Sequence, residues 1–235
     1  MQHLKQLVLR NVPSILQWHL FIRAIPPPNC SVVIAGTAPD FTTDRNLYRD
    51  DSVCRWDVPF DKLEISTDIL RLSDNSSDQR KRTLEVSNSP RRGLHSYGDG
   101  RITFRVYDLS SIRTLEAWDL FGGHLVDYRT LFGQMVSLQT IRLHGRPALS
   151  WILPRVSGFS FNSSPGHFPR FEDLWLIDID LSIDTVCSLA KQILNECTQL
   201  GLRPQRLYLY RCRASEDHIE RLGQCADEVS IVDHC

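Results

Sequence analysis

The feature that most constrains this chain is a recurring apolar spacing, L-x-x-L-x-L, whose last two apolar positions alternate with polar ones as in a strand buried on one face. Leu4, Leu7 and Leu9 show it first. It returns at Ile112, Leu115 and Ala117, at Leu138, Ile141 and Leu143, and at Phe171, Leu174 and Leu176. Leu207 and Leu209 keep the last two positions, with Pro204 at the first. Ile141 follows Leu115 by 26 residues, Leu174 follows Ile141 by 33, and Leu207 follows Leu174 by 33. These intervals are near or slightly above the roughly 20 to 29 residues of a leucine-rich repeat, in which each strand needs a returning segment to cover its back.

The segments between the strands supply that cover. Ile15, Leu16, His19 and Leu20 have helical spacing, with Pro13 near the start and Pro26-Pro27-Pro28 as the stop. Leu125, Tyr128, Leu131, Phe132 and Met135 form a second apolar stripe. Ser182 is placed to cap a third helix, and Ser215, followed by Glu216 and Asp217, to open a fourth. The pattern predicts helices near residues 13–25, 124–135, 182–199 and 215–224, and a last strand over 229–231. The expected fold class is α/β, a leucine-rich-repeat-like solenoid with parallel strands on the concave face and helices on the convex face. The strands holding Leu7, Leu115, Ile141, Leu174 and Leu207 are expected to lie side by side.

The whole of residues 1–235 reads as one such domain, with a first repeat over 1–25 and regular repeats over 112–235. Residues 26–111 form an irregular, β-rich middle with strand signals at 31–35, 63–65, 83–86 and 102–107. Between them the stretch 73–99, with Arg80-Lys81-Arg82 and Ser89-Pro90, reads as a surface excursion.

Composition removes several function classes. Twenty-seven Lys and Arg against 28 Asp and Glu give a net charge of -1, which supplies no charge-driven reason to bind nucleic acid or an anionic membrane. No apolar run reaches the length of a membrane span, and the N-terminus lacks the apolar core of a secretory signal. Seven cysteines without a Cys-x-x-Cys pair suit reduced thiols, so a cytoplasmic or nuclear location is expected.

Catalytic signatures are missing from the sequence. Gly158-Phe159-Ser160-Phe161-Asn162 lacks the last glycine of a nucleophile elbow, and Gly98-Asp99-Gly100 has Thr103 where a dinucleotide fingerprint needs glycine. Asp178 and Asp180 provide two carboxylates, too few for a calcium shell. Cys212, His218, Cys225, His234 and Cys235 include zinc-type ligands at spacings that fit no zinc motif, and core packing is the better reading. The expectation is a chain that is not an enzyme and needs no cofactor or metal.

The positions between the repeat leucines carry the candidate site. They alternate away from the buried side chains and therefore share the other face of the sheet. Besides Gln6, Val8, Thr114, Thr140 and Ile177, they are Arg10, Glu116, Trp118, Arg142, His144, Asp173, Trp175, Arg206, Tyr208 and Tyr210. Trp, Tyr and Arg are the residues enriched at binding hot spots, and these ten are the expected partner contacts. Trp175 and Tyr208 occupy equivalent positions one repeat apart and are expected to be exposed neighbours.

Leu4 to Leu9, the Ile25-Pro26-Pro27-Pro28 stop before Val32-Val33-Ile34, Phe168-Pro169-Arg170-Phe171-Glu172-Asp173-Leu174-Trp175-Leu176, and Gln205-Arg206-Leu207-Tyr208-Leu209-Tyr210-Arg211-Cys212 followed by Val229 to Asp233 together resemble the C-terminal repeat region of fungal F-box proteins. The resemblance implies a protein-recognition module like the part that holds the substrate of a cullin-type ubiquitin ligase, with a protein partner it does not identify. No segment resembles the F-box that recruits the ligase, so only the binding half carries over. The rival readings are a hydrolase whose His and carboxylate come from distant strands, and a fragment without independent function. Because only Met1, Gln2 and His3 precede Leu4, the first repeat is expected to need cover from preceding repeats or from a partner.

Overall fold

The computed structural model describes residues 6–10, 31–36, 60–66, 69–74, 83–88, 109–118, 132–150, 152 and 168–232. These residues form an α/β structure around one mostly parallel open sheet. Its strands are β1 (Gln6–Arg10), β2 (Ser31–Gly36), β3 (Lys62–Ile65), β4 (Ile69–Ser73), β5 (Thr83–Asn88), β6 (Thr114–Trp118), β7 (Thr140–His144), β8 (Asp173–Ile177), β9 (Arg206–Tyr210) and β10 (Glu228–Val232). They stand in the order β1-β2-β5-β4-β3-β6-β7-β8-β9-β10. Only β4 runs against its neighbours, pairing antiparallel with β3 and β5.

The repeat leucines set the register. Leu63, Leu115, Ile141, Leu174, Leu207 and Val229 are successive cross-strand partners, and Ile65, Ala117, Leu143, Leu176, Leu209 and Ile231 form a second such row. A slip of one residue in any strand would turn its apolar pair outward and its polar residues inward, so burial holds the register. A recurring backbone feature reinforces it. The carbonyl just before one strand accepts the first two N–H groups of the next: Asp61 from Arg113 and Thr114, Arg113 from Gln139 and Thr140, Gln139 from Glu172 and Asp173, Glu172 from Gln205 and Arg206.

Two helices follow β8 and β9. Helix α1 (Asp184–Gln199) buries Val186, Cys187, Ala190, Ile193, Leu194 and Cys197, spaced three and four apart along one side. Helix α2 (Glu216–Gly223) buries Leu222 and partly buries Ile219. These residues join the sheet's apolar rows in a single core cluster that extends from Phe60 to Ala226. Gly201, at φ 71 after the end of α1, takes the left-handed conformation that a side chain resists.

Comparison with the expectations gives agreements and corrections. Strands β6 to β9 are adjacent and parallel as expected. The strand of Leu7 is in the same sheet but not beside that of Leu115, because β2, β5, β4 and β3 stand between them. The middle of the chain therefore contributes four strands to the main sheet. Strand β4 had no assigned signal, although Leu70 and Leu72 alternate with Arg71 and Ser73. A further helical run at 145–150 was also unassigned. The strand signal at 102–107, the first helix and most of the second lie outside the described residues.

Ser182 does not cap α1. Its hydroxyl and backbone N–H both donate to the Asp180 carboxylate, and Ile183 occupies the cap position without a side-chain bond. Ser215 does cap α2, accepting a bond from the backbone N–H of His218, with Glu216 and Asp217 in the first turn complementing the helix dipole. Ser215→Ala is expected to cost about 1 kcal/mol, read as a shift of the urea midpoint with unchanged m-value. Ser182→Ala, which removes no cap bond, is expected to change stability by less than about 0.5 kcal/mol.

Candidate functional site

The face opposite the leucine rows carries the candidate site, and the register arranges it in three lines. Lys62, Thr114, Thr140, Asp173, Arg206 and Glu228 are successive partners along one line, and Glu64, Glu116, Arg142, Trp175, Tyr208 and Ser230 along the next. Trp118, His144, Ile177, Tyr210 and Val232 make the third. Charge dominates the β3–β6 end and aromatic rings dominate β7–β9.

At the charged end, Glu116 is 5% exposed and stands between two donors. His144 Nε2 lies 2.7 Å from its Oε1, and Lys62 Nζ ion-pairs with its Oε2. Lys62 also reaches Glu64 at 2.6 Å, and Arg71 on β4 pairs with Glu64 at 2.7 Å. Burial alone would raise the Glu116 pKa, but the hydrogen bonds and charges of His144 and Lys62 outweigh it and hold the carboxyl down at about 2. Burial works against the Lys62 ammonium as well, and its two carboxylate partners more than compensate, raising its pKa. Since an ionised carboxylate only accepts, the Nε2 of His144 carries a proton. Its Nδ1 is buried and has no hydrogen-bond partner among the described residues, and the indole of Trp118 stacks on the ring with centroids 3.4 Å apart.

Beyond this cluster the rings stack across strands. The Arg142 guanidinium lies 5.0 Å from the centre of the Trp175 ring, and Trp175 stacks on Tyr208 with centroids 4.3 Å apart and planes 20° apart. Both faces of Trp175 are thus occupied, so it offers a partner its edge and N–H. Strands only about 4.8 Å apart produce such a ladder whenever flat side chains fall in register on successive strands. Arg211 lies 4.9 Å from the Tyr210 ring centre.

Consecutive repeats are also matched in charge, acid in one and arginine in the next. Arg206 Nε donates to Asp173 at 2.6 Å, Arg211 pairs with Asp178 at 2.5 Å, and Arg213 forms a β-bridge with Asp180. Each pair joins positions 33 residues apart, the repeat interval itself. Asp178 and Arg211, the residues that leave β8 and β9, both adopt left-handed backbone at φ 54 and φ 52. Each costs about 1 kcal/mol of local strain, and their ion pair ties the two turns together. None of these partnerships follows from a local motif. The 33-residue offset between Asp173, Asp178, Asp180 and the three arginines was the available signal.

The ten expected contact residues divide accordingly. Trp118 is 39% exposed, and Arg142, Asp173, Trp175, Arg206, Tyr208 and Tyr210 are half-buried on the same face. His144 is buried with the Trp118 ring stacked on it, and Glu116 is buried between His144 and Lys62. Ile177, at 5% exposure, is buried on this same face between His144 and Tyr210 and is not a member of the core cluster behind the sheet. Trp175 and Tyr208 are neighbours as expected, half-buried rather than fully exposed. Arg10 ends β1, separated from β6 by four intervening strands, so it is not part of the β6–β9 patch; its side chain is outside the described residues.

Other chemistry-bearing groups take structural roles. Cys225 is buried, Cys212 packs partly against the core, and burial raises the Cys212 thiol pKa. His234 and Cys235 lie outside the described residues. Among the described residues no group of three or more His, Cys, Asp or Glu is placed to hold a metal ion. Ser215, His218 and Asp184 do line up, with Ser215 Oγ 2.5 Å from Nδ1 and Asp184 3.3 Å from Nε2. Asp184 is 85% exposed, and Ser215 Oγ already caps α2, so this line joins two helix N-termini in solvent.

No family model, curated protein or solved structure matches the chain. The fold and this face define an α/β protein with a mostly parallel sheet and an aromatic, arginine-rich strand surface. No helix among the described residues is long and apolar enough to cross a membrane.

Proposed function

We propose that this chain is a non-enzymatic protein-recognition module, a leucine-rich-repeat-like solenoid similar to the substrate-binding repeat region of an F-box protein, working in the cytoplasm or nucleus. The observation that carries the reading is the Arg142–Trp175–Tyr208 ladder with Trp118 beside it on the open face of four parallel strands. The rings are already ordered by mutual stacking, so a partner that covers them would lose little side-chain freedom in doing so. Next to Trp118, the ion pairs of Glu116 with Lys62 and His144 tie β3, β6 and β7 together, which adds rigidity to this face.

The test is direct. The purified chain captures proteins from a lysate, and each candidate is then purified and titrated against wild type and the Trp175→Ala/Tyr208→Ala double variant. A true partner is expected to bind the double variant at least about thirtyfold more weakly, the effect of losing one strong hot spot or two moderate ones. Circular dichroism and thermal unfolding confirm that the variant is folded. If every captured protein binds both forms equally, this face is not the recognition surface.

A further inference from the structure

Among the described residues the aromatic ladder ends at Tyr208, and no ring or guanidinium covers the face turned toward β10. Trp175 covers the side of the Tyr208 ring toward β8, and the opposite side faces β10, where its cross-strand neighbour is Ser230, a residue too small to cover a ring. Beside it stands Glu228, exposed, with no ion pair among the described residues; the Ser230 hydroxyl lies 3.4 Å from its Oε1 and donates to it. Arg206, the neighbour of Glu228 in register, is turned the other way and held by Asp173 and Glu172. The charge line across these strands therefore runs Asp173, Arg206, Glu228, and its next member would be a cation. Among the described residues β10 is the last strand of the sheet order, with no strand paired to its far edge.

We infer that β10 is a docking edge for an extended segment of a protein partner that carries an arginine. The segment adds to the sheet beside β10, and its arginine lies over Ser230 with the guanidinium on the open face of Tyr208 and against the Glu228 carboxylate. Arg142 on Trp175 and Arg206 with Asp173 make these two kinds of contact between adjacent strands within the chain; the docked arginine makes both from one strand further out, its long side chain crossing Ser230 to reach Tyr208. Backbone pairing along the edge supplies attachment, and the slot between Tyr208 and Glu228 supplies selectivity for a planar cation. The inference rests on the reading of this face as a recognition surface and names the side chain it selects.

The test uses the full chain and a random heptapeptide library displayed on phage, selected in parallel on wild type and on Tyr208→Ala, Glu228→Gln and Ser230→Trp variants. Arginine is expected to be enriched in peptides selected on wild type and not on any variant. A selected peptide resynthesised with arginine should lose about threefold in affinity on Glu228→Gln, about threefold on Tyr208→Ala and about tenfold when the two are combined. Failure to select peptides, selection without arginine enrichment, or equal enrichment on the variants would overturn the inference. So would a concentration-dependent dimer, seen by sedimentation and abolished by Ser230→Trp, since a second copy of the chain would then occupy the edge. If partner capture depends on Trp175 and Tyr208 while the library shows no arginine preference, the recognition reading stands and this inference alone falls.

Discussion

Leu174→Ala is expected to destabilise the chain by about 3 kcal/mol, the largest effect of any single truncation proposed for it. Leu174 is 2% exposed and sits mid-row between Ile141 and Leu207 on the covered face of the sheet, with α1 closing over the same core. Removing its branched end costs the transfer free energy of the lost carbons and leaves a cavity, because the strands on both sides are held by ladder hydrogen bonds and cannot collapse into it. Urea titration should show a lowered midpoint with unchanged slope if unfolding remains two-state. Ile231→Ala is the control: Ile231 lies on the same face of the edge strand β10, in the second apolar row with Leu176 and Leu209, but is 53% exposed, so its truncation should change stability by less than about 0.5 kcal/mol. Equal losses at the two positions would mean that the core does not end where the buried row ends.

Glu116→Gln is expected to remove about 2 kcal/mol at neutral pH and to flatten the acid limb of the stability profile. The glutamine has nearly the same shape, but it strips the buried charge on which His144 and Lys62 converge, leaving Lys62 with Glu64 alone. The sign follows from the pKa: the folded value of about 2 lies below the ordinary carboxyl value of 4.5. The unfolded chain therefore binds this proton more tightly than the folded one. Stability from the ionised group is complete above the ordinary value and is lost as the pH falls from about 5 toward 2. The full shift corresponds to about 3 kcal/mol, reduced to about 2 because the Lys62 and Glu64 arms are partly open to solvent. Chemical unfolding at several pH values between 7 and 3 would measure it. Parallel wild-type and Glu116→Gln profiles would show that the cluster does not carry a depressed carboxyl.

The sequence on its own determined the elements whose signals are local. Alternation at Leu115, Ile141, Leu174 and Leu207 is a period-two pattern, and the apolar positions of α1 recur at three and four, so each could be read within about ten residues of chain. The equal 33-residue steps allowed β8 and β9 to be aligned before any coordinates, which is why Trp175 and Tyr208 could be expected side by side. Ser215 could be read as a cap because its bond is to a residue three positions on.

The tertiary structure decided whatever depends on contacts distant in sequence. That four strands stand between Leu7 and Leu115, and that β4 runs backwards between β5 and β3, follows from strand order, which no window of local pattern contains. Ser182 was lost as a cap because Asp180, itself bridged to Arg213, took its hydroxyl. Glu116 and His144 looked like surface residues since alternation gives the face and not the depth. The Trp118 ring stacks on His144, and Glu116 is flanked by His144 and by Lys62, which a distant segment of chain brings beside it. Direction along a strand is a local property of the backbone, whereas exposure is a property of everything packed against it, and only the folded chain supplies that.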